Sequence, residues 1–197
     1  MLDVAGTVQA VLVQRTVAKA RSGDPDAIAR LYDLFADRVY RFALVRVESR
    51  ADAEDVLQQT FVKMIEALPR YEDRGLPFAA WLFRIARNTV IDVARSDRGH
   101  ADLTTVAEHA DDRRGPAEQA EAASDRAAVR AAIGRLTPDQ RTVIEYRFFA
   151  GLSHGEIGRL MNRREGAVRA LQFRAVEALH EELGALLGLD GASEVGS

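Results

Sequence analysis

Apolar positions along this chain recur every third or fourth residue rather than every second, a spacing that predicts helices and no strands. Ile28, Leu31, Phe35, Val39 and Phe42 share one side of a helix that opens at Asp24-Pro25, an acceptor side chain followed by proline at the first helical position. Ser49 with Asp52 three residues on resembles a capping box and opens a second helix through Leu68, stopped by Pro69. Its expected core face is Leu57, Phe61, Met64, Ile65 and Leu68, while Asp52, Asp55, Gln59, Lys63 and Glu66 gather around Val62 on the other side. "YEDRGLP" (71–77) contains Gly75 and Pro77 and reads as a loop. In the helix after it, Leu82, Ala86, Thr89, Val90 and Val93 form the core face.

A second group of helical signals begins near Ala127. Thr137-Pro138 with Gln140 and Ser153 with Glu156 are two further cap signals. "MNRREG" follows the Ser153 helix, with Asn162 suited to a left-handed closing position, and a last helix runs from about Glu165 to Leu183. Helix, short turn, eight-residue helix, short turn and longer helix is the helix-turn-helix layout. Between the two groups, 99–125 is rich in acids and poor in large apolar residues and reads as a linker. The predicted organisation is all-α: an N-terminal extension (1–23), a helical domain (24–98), a flexible acidic linker (99–125), a helix-turn-helix domain (126–184) and a disordered tail (185–197).

Composition narrows the classes of function. Hydrophobic residues are 47% of the 197, enough for a packed core, and no apolar run is long enough to cross a membrane. Cysteine is absent, which excludes disulfides and thiolate metal sites and fits a cytoplasmic protein. Twenty-seven basic against thirty acidic side chains give a net charge of -3, so the chain does not coat nucleic acid through bulk charge. The four histidines are dispersed without metal-ligand spacing, and there is no Gly-rich phosphate loop. The expectation is therefore a protein that is not an enzyme and has no catalytic residue, metal or cofactor.

Two local patterns run against the acidic average. At ~100° per residue, Arg84, Arg87, Asn88, Arg95 and Arg98 fall in one stripe with Trp81 at its edge. Guanidinium groups, an amide and an indole together suit single-stranded nucleic acid, through phosphate neutralisation, base-edge hydrogen bonds and stacking. In the last helix, Val168, Leu171, Ala175 and Leu179 align as a core stripe, leaving Arg169, Ala170, Phe173 and Arg174 outward as a major-groove face. Arg163 and Arg164 stand at its entrance, where phosphate contacts concentrate. Either stripe alone is also what an ordinary solvated helix face looks like.

Three blocks in order are more specific: "DPDAIARLYDLFADRVYRFAL", "ADAEDVLQQTFVKMIEALPRYEDRGLPFAAWLFRIARNTVIDVAR" and "LTPDQRTVIEYRFFAGLSHGEIGRLMNRREGAVRALQFRAVEAL". Together they resemble the extracytoplasmic-function RNA polymerase sigma factors of the sigma-70 family, over about Asp24 to Leu183. The resemblance implies that the first domain is sigma region 2 and the second region 4. It implies a docking face for the clamp helices of the polymerase largest subunit at Asp52, Asp55, Gln58, Gln59 and Val62. It implies that Asp73, Arg74, Phe78, Trp81, Arg84, Arg87, Asn88 and Arg95 handle the -10 element, capturing a flipped base and the melted non-template strand. It assigns the -35 element to Arg163, Arg164, Arg169, Ala170, Phe173 and Arg174. The implied partners are core RNA polymerase (clamp helices and flap region), promoter DNA and an anti-sigma factor, without membrane insertion, and the linker would thread the polymerase cleft.

The chain departs from the family pattern at "ARSDRGH", where a dense arginine run is common, at Ala170-Leu171, where many relatives carry a serine and a basic residue, and at Arg164, where a capping hydroxyl is common. The alternative reading is a conventional helix-turn-helix regulator that binds duplex DNA without joining a polymerase. A purely structural helical adaptor would leave the Trp-Arg stripe without a use. The first domain discriminates, because it lacks a receiver or ligand-pocket pattern and carries the docking and Trp-Arg stretches.

Overall fold

The caps anticipated from side-chain chemistry form in the computed structural model, which describes residues 4–99 and 115–187. Asp24 accepts from the backbone N–H groups of Asp26 and Ala27 and starts α2 (Pro25–Leu44). Ser49 and Asp52 exchange a reciprocal capping box at the start of α3 (Arg50–Ala67). Such caps satisfy amides that the first turn would leave unpaired, each contributing ~1 kcal/mol. A short 3₁₀ turn (Leu68–Arg70) and the 71–77 loop lead into α4 (Phe78–Gly99). These helices bury the expected stripes: Leu31, Phe35, Val39 and Phe42 on α2, and Leu82, Ala86, Thr89, Val90 and Val93 on α4. Fully burying one such large apolar side chain contributes roughly 1.5–3 kcal/mol.

One expectation for this domain needs correction. Ile65, expected in the core, is 45% exposed. The buried line of α3 runs through Ala53, Val56, Thr60, Phe61 and Met64. Phe61 meets the exposed Tyr32 ring at 4.7 Å, so Ile65, one turn further on, lies past the edge of the bundle. In the N-terminal extension Val4–Arg21 forms a further helix, α1, whose Val17 and Ala20 are buried in the same core.

The described residues of the second half form four helices and a π-helical turn. α5 (Pro116–Arg135) starts inside the segment read as a flexible linker, so 116–125 is helical, while the linker residues 100–114 lie outside the described residues. Proline at the first helical position after Gly115 sets this start. α6 (Pro138–Ile144) opens on the Thr137/Gln140 capping box and runs into the π turn Glu145–Phe149. α7 (His154–Met161) opens on the Ser153/Glu156 box and has the eight residues expected. α8 (Glu165–Leu187) extends a turn beyond the anticipated end. Leu136, Ile144 and Ala175 form a small cluster of their own, whereas Val143, Tyr146, Ala150, Leu152, Ile157 and Val168 join the core of the first domain. The tail beyond 187 lies outside the described residues. Among the described residues no helix is long and apolar enough to cross a membrane.

Candidate nucleic-acid interface

The turn between α7 and α8 is built by backbone geometry. Asn162 adopts a left-handed conformation (φ 53°), and the Arg163 and Asn162 amides donate to the Gly158 and Arg159 carbonyls at 2.8 and 3.4 Å. This is a Schellman closure, which ends α7 and redirects the chain. Gly158 is buried, and a Cβ there would lie 2.7 Å from the Arg163 carbonyl oxygen, so the close approach of the two helices requires glycine. His154 Nε2 and Gln172 Oε1, 2.7 Å apart, tie α7 to α8. Val168 and Ala175 are buried, Leu171 and Leu179 partly so, and the stripe opposite is free.

Arg169, Ala170, Phe173 and Arg174 are all exposed on one face of α8, Phe173 at 68%. Arg163 and Arg164 are exposed at the helix entrance. Arg163 pairs with Asp139 of α6, and Arg169 with Glu165 one turn earlier at 2.5 Å. Both are surface pairs, worth about 0–1 kcal/mol each, so a phosphate or guanine can replace the carboxylate at little cost.

On α4 the stripe is only partly open. Arg84, Asn88 and Arg95 are exposed, and Trp81 is half-buried against Tyr71 (ring centroids 4.9 Å) and Phe78 (5.3 Å). Phe78 is 3% exposed and packs on Phe35 and Tyr71, so it supports Trp81 rather than offering a stacking surface. Asp73 turns the loop by accepting the Gly75 amide at 2.9 Å, and it also accepts from Gln14 of α1. Arg74 pairs loosely with Glu72 at 3.2 Å. Burial raises the Tyr71 phenol above its ordinary pKa, with Asp73 adding to the shift. Arg87 does not face solvent alone: its guanidinium reaches the second domain. It donates through Nη2 to Glu145 Oε2 at 2.7 Å and to the Thr142 hydroxyl at 2.9 Å. A cavity of about 630 Å³ lies between α4, the 71–77 loop and the second domain, walled by Trp81, Arg84, Arg87 and Asn88 on one side and Tyr146 and Leu160 on the other. Tyr146, Leu160 and Glu145 carried no signal in the sequence, because only tertiary packing brings them to α4. Arg98 lies at the end of α4 where side chains are outside the described set.

The α3 face is open. Asp55, Gln58 and Gln59 are exposed around Val62, itself 53% exposed, and Ile65 extends the apolar centre by one turn. Asp52 is half-buried, with a carboxylate oxygen held by the Ser49 amide at 3.1 Å, so its first duty is capping. Lys63, on the same side, pairs with Asp92 of α4 at 2.7 Å. An acidic, amide-bearing face with two exposed aliphatic residues fits a basic partner helix with an apolar ridge.

Comparison with known proteins places both halves of the chain in a family context. Residues 31–99 match the family model "Sigma-70 region 2", and residues 126–179 match "Sigma-70, region 4". The chain is 38% identical over 165 residues to the ECF RNA polymerase sigma factor BldN of Streptomyces coelicolor, an alignment that covers 83% of this chain and 62% of that protein. It is 36% identical over 186 residues to the ECF RNA polymerase sigma factor ShbA of Streptomyces griseus, covering 91% of this chain and 97% of the relative. Among solved structures, CnrH in complex with the cytosolic domain of CnrY is 29% identical, with a TM-score of 0.61 over 89% of this chain and 97% of that one.

Proposed function

This chain belongs to the extracytoplasmic-function RNA polymerase sigma factors of the sigma-70 family, and from that membership we propose how its residues divide the work of promoter-specific initiation. Residues 24–98 act as region 2 and 126–184 as region 4. The α3 face of Asp55, Gln58, Gln59 and Val62, now with Ile65, docks on the clamp helices of core polymerase. Trp81, Arg84, Arg87, Asn88 and Arg95 hold the separated non-template strand at the -10 element, with Asp73 and Arg74 shaping the loop beside it. Arg169, Ala170, Phe173 and Arg174 read the -35 element in the major groove, and Arg163 and Arg164 hold its phosphates. The flap region of the polymerase and an anti-sigma factor are further partners, and the cytoplasm is the place of action.

One observation supports this division most strongly. A docking face with exposed Val62 and a Trp-Arg face stand on consecutive helices of one packed domain. A conventional helix-turn-helix regulator has no use for that domain, and the region 2 match falls on it. The division also accounts for an acidic protein that handles DNA. Non-specific affinity comes from phosphate neutralisation, so a net charge of -3 keeps the free chain off bulk DNA while polymerase supplies the affinity.

The test is co-purification with core polymerase. Asp55→Arg with Val62→Arg should abolish it while the circular dichroism spectrum is retained. Unchanged co-purification of the double variant would remove α3 from the interface.

A further inference from the structure

We propose that the free chain holds itself closed through Glu145, which takes Arg87 out of the strand-binding face until polymerase or promoter separates the two domains; this rests on the assignment of Arg87 to the -10 strand. Glu145 is only 5% exposed, although it is charged and lies at the start of the π turn. Its two carboxylate oxygens are divided between arginines of the first domain. Oε1 accepts from Arg46 Nη1, just after α2. Oε2 accepts from Arg87 Nε at 3.1 Å and Nη2 at 2.7 Å on α4. Arg87 is further held by the Thr142 hydroxyl and lies 5.7 Å over the Tyr146 ring. On α4 it is Arg87 that makes this contact, while neighbouring Arg84 stays exposed.

The rest of the seam is built in the same way. Arg38 of α2 donates through Nε to the Phe149 carbonyl at 2.8 Å, at the other end of the π turn. Arg130 of α5 donates to the Val47 carbonyl at 2.8 Å, and Phe42 meets Phe149 edge-on at 5.8 Å. The π turn, closed by the Ala150 amide on the Glu145 carbonyl at 3.2 Å, carries both Glu145 and Phe149. The π turn ends α6 rather than interrupting it, a closure found at helix C-termini, and it sets Glu145 and Phe149 at its two ends against the first domain. In the closed form the wall of Tyr146 and Leu160 also stands across Trp81, Arg84 and Asn88, where a single strand would have to pass.

The energetics suit a release mechanism. A buried ion pair gains attraction but loses hydration, and the two nearly cancel, so separating both partners into water costs little, whereas removing one partner alone strands a buried charge. On a promoter, the Arg87 guanidinium exchanges the Glu145 carboxylate for a phosphodiester, another oxyanion of the same charge. Promoter strand and second domain therefore compete for one side chain.

Because the chain has no cysteine, Asp33→Cys and Glu177→Cys, both at exposed positions of α2 and α8, allow spin labels to report the distance between the domains. The unaltered latch should give one narrow distance distribution. Glu145→Gln, and independently Arg46→Gln in case the first variant folds poorly, should broaden it to longer distances. The same latch variants without labels should bind a fluorescent single-stranded -10 oligonucleotide about tenfold more tightly than the free wild-type chain, the gain expected if the closed form holds about nine-tenths of the molecules. Arg87→Ala added to Glu145→Gln should remove that gain. An unchanged distance distribution in both latch variants overturns the latch. Opening with no gain in oligonucleotide binding leaves the latch standing and overturns the assignment of Arg87 to the strand.

Discussion

Two glycines in the second domain, replaced by the same residue, should move stability in opposite directions. In Gly158→Ala the new Cβ would lie 2.7 Å from the Arg163 carbonyl oxygen and 3.7 Å from the Glu165 amide nitrogen. Both are backbone atoms of the turn, so no side chain can swing aside. Overpacking of this kind costs ~1–3 kcal/mol, against a gain of ~1 kcal/mol from the better helix propensity of alanine. A net loss of up to about 2 kcal/mol follows, together with a shift of α8 against α7. In Gly134→Ala the Cβ meets nothing within 4 Å and the residue sits in α5, so only the propensity gain of ~0.5–1 kcal/mol remains. Thermal unfolding of the full chain, followed by circular dichroism at 222 nm, reads both. In a chain of 197 residues whose two halves share a core, each kcal/mol moves the midpoint by ~2–4 °C, so Gly158→Ala should melt up to ~8 °C below wild type and Gly134→Ala ~1–4 °C above it. If Gly158→Ala melts with or above Gly134→Ala, α7 does not approach the start of α8 closely enough to require glycine.

The buried hydroxyls of Thr60 and Thr89 have no hydrogen-bond partner, so Thr60→Val and Thr89→Val should each be neutral or stabilising by up to ~1 kcal/mol in urea titrations, and a loss of more than 1 kcal/mol would show that the hydroxyls are in fact satisfied. Ser153→Ala removes the acceptor for the Glu156 amide and should cost ~1 kcal/mol by the same measurement. In holoenzyme assays against every single-base variant of the -35 element, Arg169→Ala should relax preference at one base pair by ~1–3 kcal/mol, whereas Arg164→Ala should weaken all sequences alike and flatten the salt dependence. Burial holds the Tyr146 phenol above its ordinary pKa of 10.0, with Glu145 adding to the rise and Arg87 opposing it. The unfolded chain therefore ionises first, and stability should be fully present below pH 10 and fall as pH climbs past it, which an absorbance titration of tyrosinate beside a melting series will follow.

The parts legible in the sequence were those fixed by neighbours within four residues. Asp24, Ser49, Thr137 and Ser153 each cap their own helix, so the boundaries of α2, α3, α6 and α7 could be read from side-chain chemistry alone. Asn162 is the same kind of signal, because few residues other than glycine tolerate the left-handed position. Periodicity located the buried stripes of α2, α4 and α8 but misplaced Ile65, since a helical stripe does not say how far its neighbours extend over it. α1 was missed because its apolar residues, Val8, Val11 and Leu12 among them, stand on exposed as well as buried sides and blur the period. The start of α5 was hidden by its alanine- and glutamate-rich composition, which serves a solvated helix as well as a linker.

Within the candidate site the same division holds. Exposure of Arg84, Asn88, Arg169, Phe173 and Arg174 followed from helical phase. The burial of Phe78 did not, because its pocket is made by Phe35 and Tyr71 from other elements. Nor did the pairing of Glu145 with Arg46 and Arg87, which stand 99 and 58 residues away along the chain. Such contacts leave no local trace, and they decide which of the arginines is available in the free protein.

Promoter-specific initiation by this chain is read directly by in vitro transcription with purified core polymerase on a library of random promoter sequences, with and without this chain, joined to a permanganate footprint on the selected promoter. The chain should make core polymerase initiate from templates that share two spaced elements, with reactive thymines in the downstream one. Arg84→Ala with Asn88→Ala should lose those thymines on duplex templates and regain part of the activity on a pre-melted bubble. Initiation that is the same with and without the chain, or a double variant that melts the duplex as well as wild type, would contradict the account.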